Sequence, residues 1–140
     1  MSQQSFIKRN KLWAIYFVFV ALAVIFKDDE PLFFSNGPYA VGKLVVWAIF
    51  FSFLAYSLYC HVNENFFKSV AEMAPKLWFR QISIDLYLGL LITSTVIYLN
   101  EGSLLFMLLW IVPLVLFVNL ATLLYLAMNY DSLIAHFISQ

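Results

Sequence analysis

The chain has 140 residues, of which 64% are hydrophobic, 19% aromatic and only 11% charged, with eight basic residues balancing eight acidic ones. Soluble domains carry roughly 25% charged residues, so the composition argues against an ordinary soluble domain. The zero net charge gives no overall cationic excess to attract nucleic acid, and no nucleic-acid partner is expected.

Four uncharged apolar runs occupy residues 12–26, 44–62, 86–100 and 102–130. A charge-free run of about 18 or more residues reads as a spanning helix, and the shorter runs gain length from flanking residues that sit at the interface. The expectation is an all-α polytopic membrane protein: one membrane domain over residues 1–140, a four-transmembrane-helix bundle with short loops. Spans are expected near 12–26, 44–62, 84–100 and 104–128, with an interfacial helix near 64–74. The polar segments between runs fall well short of the roughly 40 residues that a separate core needs.

In chain order, Lys8, Arg9 and Lys11 precede the first run. This basic start, the apolar stretch and Ala21-Leu22-Ala23 also resemble a secretory signal peptide, whose removal would leave three spans. The first loop reads Lys-Asp-Asp-Glu-Pro at 27–31 and Ser-Asn-Gly-Pro at 35–38, both turn signals. Asp28, Asp29 and Glu30 lack the interleaved spacing and turn glycine of a calcium loop, so a solvated helix end is expected. Phe33 and Phe34 beside them suit the membrane interface. The second run ends with Cys60 and His61; the single cysteine excludes a disulfide framework. In the second loop Phe66, Phe67, Val70 and Ala74 share one helix side, and Pro75 ends the segment. Lys76, Trp78 and Arg80 lead into the third span, where basic residues favour anionic lipid by roughly 1 kcal/mol each. Pro113 should kink the fourth span.

Six of the eight basic residues fall before the first run or between the second and third, leaving Lys27 and Lys43 on the other side. The positive-inside rule and an even number of spans therefore place both termini in the cytoplasm. Trp13 and Trp78 near the inner face and Trp47 near the outer face suit interfacial anchoring.

Polar groups within spans are costly and are usually buried between helices. Asp85, Gly89 and Thr93 recur at four-residue spacing, so that face is expected to point inward. Counted from the inner ends, Ser52, Thr93 and Asn119 reach similar depths and form a candidate hydrogen-bonded layer. Their bland role is interhelical glue, each worth about 0.6 kcal/mol, with Ala48, Ser52 and Ala55 as a small-residue face. Their functional role would be a polar path whose cytoplasmic mouth is a His61–Asp85 pair able to relay protons. No companion ligand at helical spacing makes His61 or His136 a metal or haem site, and no nucleophile–base or phosphate-loop motif is present. No cofactor is expected.

Asp85-Leu86-Tyr87-Leu88-Gly89, Glu101 and Asn119-Leu120-Ala121-Thr122-Leu123-Leu124-Tyr125 resemble small bacterial four-span membrane proteins grouped as a domain of unknown function. The resemblance implies a compact helical inner-membrane protein and assigns no residue a role. The function expected is that of a non-enzymatic assembly or accessory component, acting through self-association or contact with another membrane protein. The alternatives are an oligomeric small transporter or channel, and a membrane enzyme on lipid or quinone. A transporter would show a water-accessible cavity reaching Asn119, and an enzyme a cleft with a charged pair. An assembly component would show a dry bundle with a polar or small-residue patch facing outward.

Overall fold

The computed structural model describes residues 3–27, 30–35 and 37–138, and these are all-helical. In chain order the helices are α1 (Gln3–Ile25), α2 (Ala40–Asn63), α3 (Phe66–Met73), α4 (Leu77–Glu101), α5 (Leu104–Phe117), α6 (Asn119–Met128) and α7 (Tyr130–Ile138). Two of them, α2 with 24 residues and α4 with 25, are long and apolar enough to cross a membrane. At about 1.5 Å per residue each extends roughly 36 Å, against a hydrocarbon core of about 30 Å. α1 is 23 residues long, but basic residues occupy its first part.

Local chemistry explains the helix ends. The Asn65 side chain accepts the Lys68 N–H and caps α3, and Pro75 follows that helix by two residues. α4 stops where Gly102 turns to φ 63°, a conformation glycine adopts without strain. This two-residue turn sets α5 antiparallel against α4.

The principal departure from the sequence reading lies in the fourth apolar run. It does not form one spanning helix. α5 ends and α6 begins at Val118, whose backbone sits at φ 46°, ψ −105°. The rings of Trp110 and Tyr125, 15 positions apart in sequence, lie with centroids 5.0 Å apart, whereas a continuous helix would separate those residues by roughly 22 Å. The chain descends along α5, reverses and climbs back along α6. Pro113, the expected kink, is buried inside an unbroken α5, and the break falls five residues later.

A β-branched residue at positive φ is a strained outlier, so its surroundings must hold it. Phe117 packs against Tyr16 and Trp13 at centroid distances of 4.5 and 5.8 Å. The break leaves the Val115 carbonyl without its helical donor, and the Tyr87 hydroxyl donates to it at 3.3 Å. Thr122 N–H reaches back to the Val118 carbonyl at 3.0 Å. Broken backbone in an apolar setting is tolerated only where such partners re-satisfy it.

The reversal changes which end the C-terminal segment occupies. Asn10 meets His61 at the far end of α2, while Asp131 meets Lys43 at its beginning. Asn10 of α1 and the start of α7 are therefore at opposite ends of the bundle. The expected fourth span over residues 104–128, on which the shared side of the termini rested, is replaced by a helical hairpin that returns on itself.

α6 is the most enclosed element: Leu120, Ala121, Leu124, Tyr125, Ala127 and Met128 are all buried. α2 packs along it and α5 flanks it, with α1 and α4 resting on α5. Tyr16 brings α1 into this core, 1% exposed and donating to the Leu120 carbonyl at 3.4 Å. α3 buries nothing. Through the apolar parts of α2 and α4 only 17% and 11% of residues are buried, so both present most of their apolar side chains outward.

The hairpin yields a direct test. Because Trp110 and Tyr125 touch, a double-mutant cycle with Trp110→Ala and Tyr125→Ala should show a coupling of about 0.5–1.5 kcal/mol in unfolding measurements. A continuous helix would give additive effects.

Candidate functional site

The largest polar network of this apolar chain gathers at one end, around Lys43. This residue lies in the first turn of α2, where the helix carries no acidic residue. A cation there opposes the helix dipole, and the Lys43 side chain is 0% exposed. Three acceptors offset both costs. Its Nζ donates to Glu30 Oε1 at 2.9 Å, to Asp131 Oδ2 at 3.3 Å and to the Pro31 carbonyl. All three ammonium protons thus have partners.

The acceptors are themselves fixed. Glu30 Oε1 also accepts the Asp131 N–H at 3.0 Å, placing a carboxylate at the N-terminus of α7, where the dipole favours it. The Ser35 hydroxyl donates to Asp131 Oδ1. Beside them Trp47 Nε1 donates to the Leu32 carbonyl at 2.8 Å and packs its ring, tilted, against Phe33 at a centroid distance of 4.9 Å, while Phe34 stays exposed. Tyr130 reaches over the start of α2 to donate to the Tyr39 carbonyl at 3.2 Å. Gly42 permits that approach: a Cβ there would stand 1.9 Å from the Tyr130 hydroxyl oxygen.

A second chain of hydrogen bonds adjoins the first through Ser132. The Ser132 hydroxyl donates to Asn100 Oδ1 at 2.9 Å, Asn100 Nδ2 donates to the Tyr125 hydroxyl at 2.8 Å, and that hydroxyl donates to Glu101 Oε1 at 2.8 Å. Asn100 and Glu101 end α4, so this relay ties the α4–α5 turn to α6 and α7. The two networks together clamp the first loop, both ends of the helical hairpin and α7 into one polar cap. With its donors already matched to acceptors, the cap suits mechanical fastening better than binding or proton transfer.

The residues singled out from sequence lie elsewhere. Ser52 and Thr93 donate to the carbonyls four residues before them, Ala48 and Gly89, at 2.7 and 3.1 Å. Asn119 is exposed at the start of α6. Among the described residues no hydrogen bond joins any two of the three, so the polar layer does not form; each hydroxyl is satisfied within its own helix. His61 bonds through Nε2 to Asn10 Oδ1 at 2.7 Å and packs against Trp13 at 5.8 Å. Asp85 is exposed on α4. The cytoplasmic-mouth pair is therefore replaced by a contact between α1 and α2. Asp85, Gly89 and the small face of Ala48, Ser52 and Ala55 all point outward, the reverse of the inward packing expected. Asp28 and Asp29 lie outside the described residues, and Glu30, expected to be solvated, is instead a partner of Lys43.

Among the described residues no three His, Cys, Asp or Glu side chains converge as metal ligands would. Cys60 is a free, exposed thiol. No protein-family model, curated protein or solved structure matches this chain.

Sequence reasoning missed Lys43, Glu30 and Asp131. Lys43 reads as the charged boundary of an apolar run, and its partners are 13 and 88 residues away. Removing one member of a buried ion pair typically costs about 3–5 kcal/mol. Lys43→Met should therefore lower unfolding stability by that order. Combining it with Glu30→Gln and Asp131→Asn should recover part of the loss, because the uncompensated carboxylates go too. Denaturant unfolding of the purified variants checks both outcomes.

Proposed function

We propose that this chain is an integral membrane protein that works without catalysis, as an accessory component joined to another copy or another membrane protein through helix contacts. The observation that carries this reading is the outward face of α4. Gly89 has no atom within 4 Å of where a Cβ would sit, yet glycine in a helix interior costs about 0.5–1 kcal/mol relative to alanine. Within the chain that cost has no return. In a membrane, small residues on an outer face let a second helix approach closely, and Thr93 lies one turn further along the same side. Ala48, Ser52 and Ala55 give α2 a similar outer face.

The exposed apolar surfaces of α1, α2 and α4 support three crossings, with α5 and α6 entering and leaving on one side. The basic residues around the Asn10–His61 end, Lys8, Arg9, Lys11, Lys68, Lys76 and Arg80, favour the cytoplasm for that end. The polar cap and α7 then lie on the outer side, as in a bacterial inner membrane. The opposite placement of the chain's two ends should appear as protection of Lys8→Cys and labelling of His136→Cys by an impermeant thiol reagent on intact cells, in a Cys60→Ser background. Equal labelling of the two sites would overturn the three-crossing topology.

One observation favours an oligomeric transporter instead: the break at Val118 exposes Asn119 at the start of a half-length helix, a feature that transporters use for binding. Neither of the two hollows along α4 and α5 reaches Asn119, so the accessory reading stands first. Gly89→Leu separates assembly from fold. The variant should keep or slightly raise unfolding stability, because its side chain meets open space and glycine is the poorer helix former. Native mass spectrometry from mild detergent should show loss of the assembled form. A variant that stays assembled to the wild-type extent removes α4 as the contact face.

A further inference from the structure

Two hollows meet along α4 beside the Gly89 face, and their chemistries differ. The first, about 310 Å³, is lined by Leu77, Arg80, Gln81, Ile84, Asp85 and Leu88. Ile84 and Leu88 also line the second, a groove of about 450 Å³ between α4 and α5. The two therefore form one continuous surface with a charged end and an apolar end.

The apolar end is apolar in its chemistry as well as its lining. Three polar side chains contribute to it, Ser83, Tyr87 and Ser94. Each donates its hydroxyl to a backbone carbonyl, Ser83 to Phe79 at 2.8 Å, Ser94 to Leu90 at 2.9 Å and Tyr87 to Val115 at 3.3 Å. An alkyl chain laid there strips no hydrogen bond from the protein. From Ser83 to Ser94 the groove follows about 16 Å of helix, the depth of one leaflet of a core about 30 Å thick.

The charged end is unfinished. Arg80 Nε donates to the Ala74 carbonyl at 2.8 Å, which tethers the guanidinium, and its Nη nitrogens have no hydrogen bond among the described residues. Asp85 has no hydrogen bond or ion pair among them either. Arg80 and Asp85 line the same hollow without forming a salt bridge, so a cation and an anion stand apart with space between them.

We propose that this surface holds one zwitterionic phospholipid with a primary ammonium headgroup, one acyl chain lying in the groove. The phosphate meets the Arg80 guanidinium, whose planar donors suit phosphate oxygens, and the ammonium donates to Asp85. Asp85 disfavours purely anionic headgroups. A quaternary ammonium has no N–H to donate and is typically held by aromatic side chains, of which the first hollow has none. The proposal rests on the membrane reading above, and its ammonium site at Asp85 lies one turn before Gly89, at the border of the contact face proposed there.

The test uses the full chain in mild detergent with an equimolar mixture of phosphatylethanolamine, phosphatidylcholine and phosphatidylglycerol species of matched chains, read by native mass spectrometry. Wild type should carry one lipid, with the ethanolamine species favoured about tenfold, equivalent to about 1.4 kcal/mol. Asp85→Asn should abolish that preference while lipid still binds, Arg80→Gln should reduce all three adducts, and Leu88→Trp should reduce all three by filling both hollows. All three substituted residues are exposed on α4, and unchanged melting temperatures confirm folding. Equal adducts of the three lipids on wild type, a choline or glycerol preference, or an Asp85→Asn profile identical to wild type would each overturn the proposal. A chain that stays soluble and lipid-free without detergent would overturn the membrane reading itself, and Gly89→Leu reports on assembly separately.

Discussion

A lysine ammonium with no solvent exposure must recover several kcal/mol of lost hydration from the groups around it. Lys43 recovers it from Glu30, Pro31 and Asp131, and most of the chain's unusual path follows from bringing those groups to one place. Glu30 and Pro31 arrive through a short loop from α1. Asp131 arrives only because the preceding apolar run doubles back. Had residues 104–128 crossed as one helix, Asp131 would stand at the opposite end, roughly 36 Å from Lys43 along α2. The strained Val118 backbone is thus linked to the buried cation: the reversal supplies the carboxylate, and the closed cap holds the reversal.

The cap also explains why so little of the other polar chemistry is shared between helices. Ser52, Ser57, Ser83, Thr93, Ser94, Thr95 and Thr122 all donate to the carbonyl four residues before them. A hydroxyl satisfied in this way adds no partner requirement to its neighbourhood, so the flanks behave as apolar surface despite their serines and threonines. Tertiary polar contacts concentrate at the two ends of the bundle and at the break, where backbone groups or charges have no helical solution. The middle of the bundle is held by packing around α6.

Helix type and approximate position were legible in the sequence because they depend on local patterns. The apolar runs at 44–62 and 86–100 lie inside α2 and α4, and the Phe66–Val70–Ala74 spacing with Pro75 marks α3. The hairpin was not legible. Val118 is flanked by Phe117 and Asn119 with no glycine, and the one local signal of a break, Pro113, sits in an intact helix. Its missing N–H costs one hydrogen bond, whereas the turn five residues later is imposed by Phe117 packing on α1 and by a cap more than ten residues further along. Depth counting failed for the same reason: it assigned Asn119 a level on a helix that does not continue. The inward face assigned to Asp85 and Gly89 rested on the rule that polar groups face the bundle, and α4, packed mainly on α5, has too few neighbours along its length for that rule to apply.

This last point bears on how α4 should be understood. A helix long enough to cross a membrane, carrying an unpaired carboxylate, an uncrowded glycine and a tethered arginine, is incomplete as an isolated element. Its α5 side is closed by the Tyr87–Val115 bond and by Leu90 and Ile97, which are 7% and 0% exposed. The remaining circumference divides by chemistry into a small-residue side near Gly89 and Thr93, bordered one turn earlier by Asp85, and an amphiphilic side near Arg80 and Leu88. Lateral association in a bilayer lacks the hydrophobic drive available in water and depends on close packing and polar matching, which are the properties these two sides offer. The internal networks fasten the other end of the molecule, so the proposed contacts of α4 with lipid or a second helix would leave the cap undisturbed.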